Sequence, residues 1–194
     1  MTGDGWDGKG AGSTALFFHV EGSTQDFTVT VIPLVASFSF TGALGNEATF
    51  PSDGVNSKLT VVPVMSRLGG APSAAGGVFS GNGWTTATLD IAHYYSFTVT
   101  PKAGETMTLT NFALKDQRSG TGPVTFAVRS SRDGFAADLQ SFASHAALGR
   151  SEIILGATFA GVTTPVEFRM YAFNGAAAGT WRIDDVQLTG VITP

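Results

Sequence analysis

The stretch GTWRIDDVQLTG, residues 179–190, decides the fold class, because it reads as a β-strand that changes phase in its middle. Trp181 and Ile183 hold odd positions, Val186 and Leu188 hold even ones, and Asp184 and Asp185 stand between them. Side chains of a strand alternate strictly between two faces. Both apolar pairs therefore reach one face only if an extra residue is inserted between them. The expectation is a β-bulge at Asp184–Asp185 in a half-buried last strand.

The same signal recurs along the chain. FTVTVIPLV (27–35), ASFSFTG (36–42), KLTVVPVM (58–65), YYSFTVTP (94–101) and TMTLTNFAL (106–114) are β-branched or aromatic runs. So are PVTFAVRSS (123–131), EIILGATF (152–159) and PVEFRMYAF (165–173). Most alternate polar with apolar residues, and Gly- and Asn-containing turns such as KAGE (102–105) and FNGAAAG (173–179) separate them. About nine strands at this spacing imply an all-β fold, an antiparallel β-sandwich of jelly-roll type. The one helical candidate is AADLQSFASHAALG (136–149), Ala-rich and ending in Gly149 but irregular in its apolar spacing. It reads as a short helix or an irregular loop, so the fold holds at most one short helix.

Composition narrows the partners. Of 194 residues only 13% are charged, 25 are Gly, and the net charge is −4. A negative chain with few cations is a poor match for nucleic acid, whose binding needs clustered Lys and Arg. No apolar run is long enough to span a membrane. The start, MTGDGWDGKG, has neither the basic nor the apolar region of a signal peptide. With no cysteine there are no disulfides, thiolate metal sites or cysteine nucleophiles. The organisation reads as a Gly-rich N-terminus over 1–13, a β-rich extension over 14–34 and the jelly-roll domain over 35–194. Pro33 suits an edge strand or a strand end.

Four motifs in order carry a resemblance: GNGWTTATLDIAHYYSFTVTPKAGETMTLTNFAL (81–114), RSGTGPVTFAVRSSRDGF (118–135), TPVEFRMYAFNG (164–175) and GTWRIDDVQLTG (179–190). Over about residues 36–190 the chain resembles exported bacterial β-sandwich proteins of the PEP-CTERM-associated kind. That resemblance implies an extracellular or cell-surface location in exopolysaccharide-making bacteria, and no particular activity. The last strand is also similar to that of calcium-containing jelly-roll carbohydrate-binding modules.

Candidate site residues follow from charge and shape. Two carboxylates in a half-buried bulge repel each other and resist desolvation, so something positive must face Asp184 and Asp185. One candidate is Ca²⁺, which accepts irregular oxygen coordination; its further ligands would be Glu21, Glu47 or Asp53. The other is an arginine such as Arg129, Arg169 or Arg182. Arg132 and Asp133, in a Gly-containing turn, either fix one loop to another or hydrogen-bond sugar hydroxyls at the rim. Trp84, Tyr94, Tyr95, Tyr171 and Trp181 are core aromatics or a sugar-stacking platform, and Trp84, after SGNG, is expected to be the exposed one. GDGWDG at 3–8 fits a dinucleotide-binding pattern only formally, since no strand precedes it. His19, His93 and His145 show no metal spacing, and no nucleophile elbow is present. No catalytic residue is assigned, and the expectation is a protein that is not an enzyme, a glycosidase pair being the remote alternative.

Two functions compete. The first is a structural or assembly protein of the bacterial surface or matrix, associating with itself or other matrix proteins, its 14–34 segment donated as a strand to build a filament. The alternative is a polysaccharide-binding jelly-roll module with exopolysaccharide as partner.

Overall fold

The computed structural model describes residues 33–194, which form two antiparallel sheets packed as a β-sandwich of the jelly-roll type. The strands are β1 (Leu34–Phe38), β2 (Thr49–Pro51), β3 (Gly54–Val55), β4 (Val64–Leu68), β5 (Ala71–Pro72), β6 (Phe79–Asn82) and β7 (Tyr94–Val99). They continue as β8 (Thr106–Arg118), β9 (Thr125–Ser130), β10 (Gln140–Ala143), β11 (Gly149–Ile154), β12 (Val166–Phe173) and β13 (Thr180–Thr193). One sheet runs β11-β8-β13-β1-β3, with β6 also on β13 and β5 on β6; the other runs β10-β9-β12-β7-β4-β2. The expected extension 14–34 and the tail 1–13 lie outside the described residues except for Pro33 and Leu34.

The first sheet is organised by its two longest strands, β8 and β13, which pair over most of their length. β6 pairs with the first part of β13 through Thr180–Ile183, and β1 pairs with the later part through Val186–Thr189. The register against β8 jumps from Asp184↔Lys115 to Gln187↔Ala113, which is the expected bulge. Its effect is also the expected one, since Trp181, Ile183, Val186 and Leu188 are all buried on one face. A second irregularity, at Thr189/Gly190, adds its extra residue to β8 and keeps Leu109 and Met107 on the buried face with Phe112 and Leu114.

Between the sheets lies an aromatic core. Phe97, Phe112 and Phe168 stack along its middle, and Trp84, Tyr95, Trp181 and Phe126 fill one end. Each fully buried aromatic contributes about 2 kcal/mol from area removed from water. Tyr95 sits deep in this cluster because its hydroxyl donates to the Trp181 carbonyl at 3.1 Å. Burial pushes its phenol well above the ordinary tyrosine range, so it stays a neutral donor.

One expectation over 136–149 is corrected. The segment is neither a helix nor merely an irregular loop: residues Gln140–Ala143 form β10, paired to β9 from Gln140↔Val128 to Ala143↔Thr125. Phe142 packs on Phe126 with ring centroids 5.1 Å apart, so an available edge outweighs the helix propensity of the alanines. Helical structure among the described residues is limited to two 3-10 turns, Ser131–Asp133 and Ala157–Phe159, and no helix is long and apolar enough to cross a membrane.

Candidate functional site

The Asp184–Asp185 bulge is fastened by cations other than those named from the sequence. Asp185 adopts φ 46°, a left-handed conformation that Gly, Asn and Asp tolerate better than other residues. Its carboxylate faces Lys115 Nζ at 3.1 Å and Arg150 Nη1 at 3.8 Å, and accepts Gln187 Nε2 at 2.7 Å. Asp184 Oδ1 accepts the Asp185 backbone N–H at 2.7 Å. Burial raises the Asp184 pKa above the usual carboxylate value; the Asp185 charge adds to this, while that N–H and Lys115 oppose it. Arg129 and Arg169 are committed elsewhere, to Asp138 and Glu167.

These surroundings do not suit Ca²⁺. A metal at Asp184–Asp185 would have to displace two cationic side chains already on Asp185, and among the described residues no third carboxylate or imidazole joins the pair. Asp53 instead accepts from Ser37 Oγ and from the Ser39 N–H and hydroxyl, and Glu47 accepts the Leu44 N–H. Glu21 lies outside the described residues.

The three residues proposed to contact a ligand are not brought together. Trp84 is 1% exposed and lies in the core, contrary to the expectation of an exposed ring. Its indole is stacked on His93 at 3.7 Å and donates to Gly81 O at 3.0 Å. The physical reason is close backbone packing: Gly70 abuts the His93 ring where any Cβ would collide, and this presses His93 onto Trp84. Arg132 and Asp133 lie on the Ser131–Asp133 turn. Arg132 Nε donates to Thr158 O at 2.9 Å, and Asp133 Oδ2 accepts the Ala137 N–H at 3.0 Å, so both hold loops in place.

A buried carboxylate escaped the sequence reading. Asp116 on β8 has no exposed surface, and it accepts Trp181 Nε1 at 3.1 Å, the His145 backbone N–H at 3.1 Å and His145 Nδ1 at 2.6 Å. The signal was its phase, since Phe112, Leu114 and Asp116 share one face of the strand. The three donors tie the segment before β11 to the core.

The outward face of the six-stranded sheet gathers the remaining chemistry. In β12, Val166, Phe168, Met170 and Ala172 point into the core, so Glu167, Arg169 and Tyr171 point out. The register sets Arg169 between Ser96 of β7 and Arg129 of β9, with Ser66 of β4 beyond Ser96. The neighbouring row holds Leu68, Tyr94, Tyr171, Ala127 and Ser141, with Tyr94 and Tyr171 rings 5.3 Å apart. These tyrosines form a floor rather than a bare surface. The Arg169 guanidinium lies 4.4 Å from the Tyr94 centroid and 3.7 Å from that of Phe135, held between the two rings. Glu167 accepts from Arg169 Nε at 2.7 Å and Nη2 at 3.2 Å, leaving Nη1 free of that pair. Arg129, 5.9 Å from the Tyr171 centroid, binds Asp138 at 2.6 Å and Phe135 O at 2.9 Å, which fixes the loop that carries Phe135. Burial raises the Tyr171 pKa, and the two guanidinium charges oppose the rise.

This surface offers flat, pinned guanidinium and carboxylate groups over the buried Tyr94 and Tyr171 rings, with the exposed Thr98 hydroxyl beside them and the Ser66 and Ser96 hydroxyls bonded to each other at 3.2 Å. Such a tier can donate to and accept from neighbouring hydroxyls of one molecule at the same time. A row across five strands is about 19 Å long at ~4.8 Å per strand.

No family model and no curated protein matches the chain, so the resemblance to PEP-CTERM-associated proteins has no support from either comparison. Among solved structures it is similar to the K2 cleaved adhesin domain of Lys-gingipain, at 15% identity and TM-score 0.42, covering 79% of this chain and 99% of that one. The K1 adhesin domain of Lys-gingipain from Porphyromonas gingivalis is 18% identical, TM-score 0.39, over 78% of this chain and 95% of that one. A carbohydrate-binding module, CBM36, solved with calcium and xylotriose, is 11% identical, TM-score 0.34, over 64% and 98%. At these identities the likeness is one of β-sandwich architecture.

Proposed function

We propose that this chain is a non-catalytic polysaccharide-binding module acting outside the cell, with the outward face of the six-stranded sheet as its binding face. The observation that supports this reading is the Tyr94–Arg169–Phe135 stack, with Glu167 closing its edge and Ser66, Ser96 and Thr98 alongside. A sugar ring carries both apolar CH faces and hydroxyl pairs; the half-buried Phe135 ring over Arg169 is a partner for the first, and the Arg169–Glu167 pair for the second. Its carboxylates, Glu167 and Asp138, are held in ion pairs that orient arginines, a recognition arrangement rather than an acid–base pair.

The assembly reading, in which residues 14–34 complete a neighbour's sheet, now depends on residues before Pro33. Leu34–Phe38 already pair within their own sheet, with β13 and β3. The test of the main reading is calorimetric titration with a panel of neutral and acidic polysaccharides, using wild type, Arg169→Ala and Tyr94→Ala. Binding by wild type that drops about tenfold or more in both variants, with unchanged folding, supports it. A wild-type protein that binds no member of the panel, or variants that bind as well as wild type, overturns it.

A further inference from the structure

The sheet that carries β13 ends, among the described residues, on a long open strand. β11 (Gly149–Ile154) pairs with β8 and with no other strand of that sheet. The other terminal strands are shorter, and two of them carry proline: β10 has four residues, β2 ends on Pro51, β3 has two residues and β5 is Ala71–Pro72. Shortness and proline are common protections of a sheet edge, and β11, six residues long, has neither. The Leu155 N–H donates to Thr110 O at 2.9 Å, so the odd-numbered residues of β11 direct their N–H and C=O groups at β8. Arg150, Glu152 and Ile154 direct theirs at the open edge. Their side chains lie on the outer face, since Ser151, Ile153 and Leu155 are buried. Ile154 is 80% exposed and Leu148, in phase with it just before the strand, is 48% exposed. The side chains of Arg150 and Glu152 are 38% and 52% exposed.

We propose that β11 is a self-association edge, where two copies of this chain join strand to strand, antiparallel, about a two-fold axis through Ser151. The outer-face series Leu148, Arg150, Glu152, Ile154 is its own complement when reversed. In that register Arg150 lies opposite the partner's Glu152, and Leu148 lies opposite the partner's Ile154. The two-fold repeats both contacts, giving two ion pairs and two apolar pairs, while the edge-directed backbone groups of each copy meet those of the other. Sliding one copy by two residues sets Arg150 against the partner's Arg150, or Glu152 against the partner's Glu152, so the charges select one register and one occupant. Within its own chain Glu152 has Arg150 at 2.7 Å, and that guanidinium is shared with Asp185 at 3.8 Å and Gln187 at 3.4 Å. The partner's Arg150 gives Glu152 a second cation. Such a contact closes on itself and yields a dimer rather than a filament. One strand pair is a small interface, of the class below about 1,200 Å² whose complexes are transient, so dimers form at micromolar concentration. The tyrosine face lies on the other sheet and takes no part.

The test is sedimentation of the full chain between about 5 and about 500 µM, the range in which a transient dimer dissociates. The mass is expected to rise with concentration from the 20.0 kDa of one chain toward twice that value. Arg150→Glu and Glu152→Arg each set like charges across the axis, and each is expected to weaken dimerisation about tenfold or more. Mixed in equal amounts, the two variants oppose an acidic strand to a basic one, and dimers return. Hydrogen exchange reads the same contact in the wild-type chain, with no substitution: the Arg150, Glu152 and Ile154 amides slow as concentration rises, while those of Ser151 and Ile153, bonded to β8, do not change. A single-chain mass at every concentration, dimers that survive both charge reversals, a mixture that stays monomeric, or edge amides indifferent to concentration overturns the proposal. A mass that grows past two chains overturns the two-fold register.

Discussion

Replacing Trp84 with alanine discriminates between the two readings of that residue. On a surface platform the change would cost ligand affinity and little stability. In the observed core it opens a void beneath His93, Tyr95 and Trp181, whose rings lie 3.7, 5.2 and 5.5 Å from the indole. A fully buried tryptophan truncated to alanine costs about 3–5 kcal/mol. The Gly81 carbonyl also loses its indole donor, adding about 1 kcal/mol. The expected loss is about 4–6 kcal/mol, a large part of the ~5–15 kcal/mol by which a domain is stable. Trp84→Phe keeps a ring on His93 and should lose about 2 kcal/mol, from reduced volume and the missing N–H. Urea unfolding followed by circular dichroism measures both. A Trp84→Ala protein within about 1 kcal/mol of wild type would refute the placement of Trp84 in the core.

The remaining predictions concern the core carboxylate, the stacked histidine, the bulge and divalent metal. Asp116→Ala strands three donors and is expected to lose about 4 kcal/mol in the same urea assay, with Asp116→Asn losing less; a loss under 1 kcal/mol refutes the buried triad. Burial holds the His93 pKa below its ordinary value, with the Asp90 charge and a backbone contact to Gly83 opposing. Stability should therefore fall as pH drops below the unfolded value of about 6.5 and on through the folded pKa; His93→Phe should flatten that slope in Tm measured against pH, and an unchanged slope refutes it. Deleting Asp185 removes the extra residue, so strict alternation keeps both apolar pairs inward, whereas inserting an alanine after Asp185 either turns one pair outward, losing about 4 kcal/mol of burial, or drives the Asp185 carboxylate into the core; a deletion variant less stable than the insertion variant would refute the bulge. Chelation should shift Tm by under about 1 °C, whereas Lys115→Ala with Arg150→Ala should lower it; a large chelation effect would restore calcium to Asp184–Asp185.

What the sequence discloses here is phase, and what it conceals is adjacency. Alternation is local, so the bulge in β13 and the shared face of Glu167, Arg169 and Tyr171 are readable from TWRIDDVQL and VEFRMYAF alone. That Tyr94 lies beside Tyr171 depends on β7 neighbouring β12, two strands with residues 100–165 between them, and no local pattern states it. The place of Trp84 depends on contacts of the same kind. SGNG before it signals a turn and hence exposure, but the loop folds inward because Gly70 and Gly83, both at positive φ, let the backbone close over His93. Phe135 reaches Arg169 from a left-handed conformation just after Gly134, which a reading of strand periods does not anticipate.

The bulge also explains why Arg182 has no hydrogen-bond or ion-pair partner among the described residues. Before it, β13 and β8 are in a register that sets Arg182 opposite Gln117 and Ile183 opposite Asp116. The nearest carboxylate on β8 is thus turned into the core, where Trp181 and His145 satisfy it, and cannot reach the outer face. After the bulge, Asp185 draws Lys115 and Arg150 to itself. A slip of one residue would bring Asp116 out beside Arg182 and bury a lysine or glutamine in its place. That alternative is closed by the cost of an unpaired charge in an aromatic core, which exceeds what a surface ion pair returns. That Arg182 finds no carboxylate among the described residues is therefore a consequence of the register that the core demands.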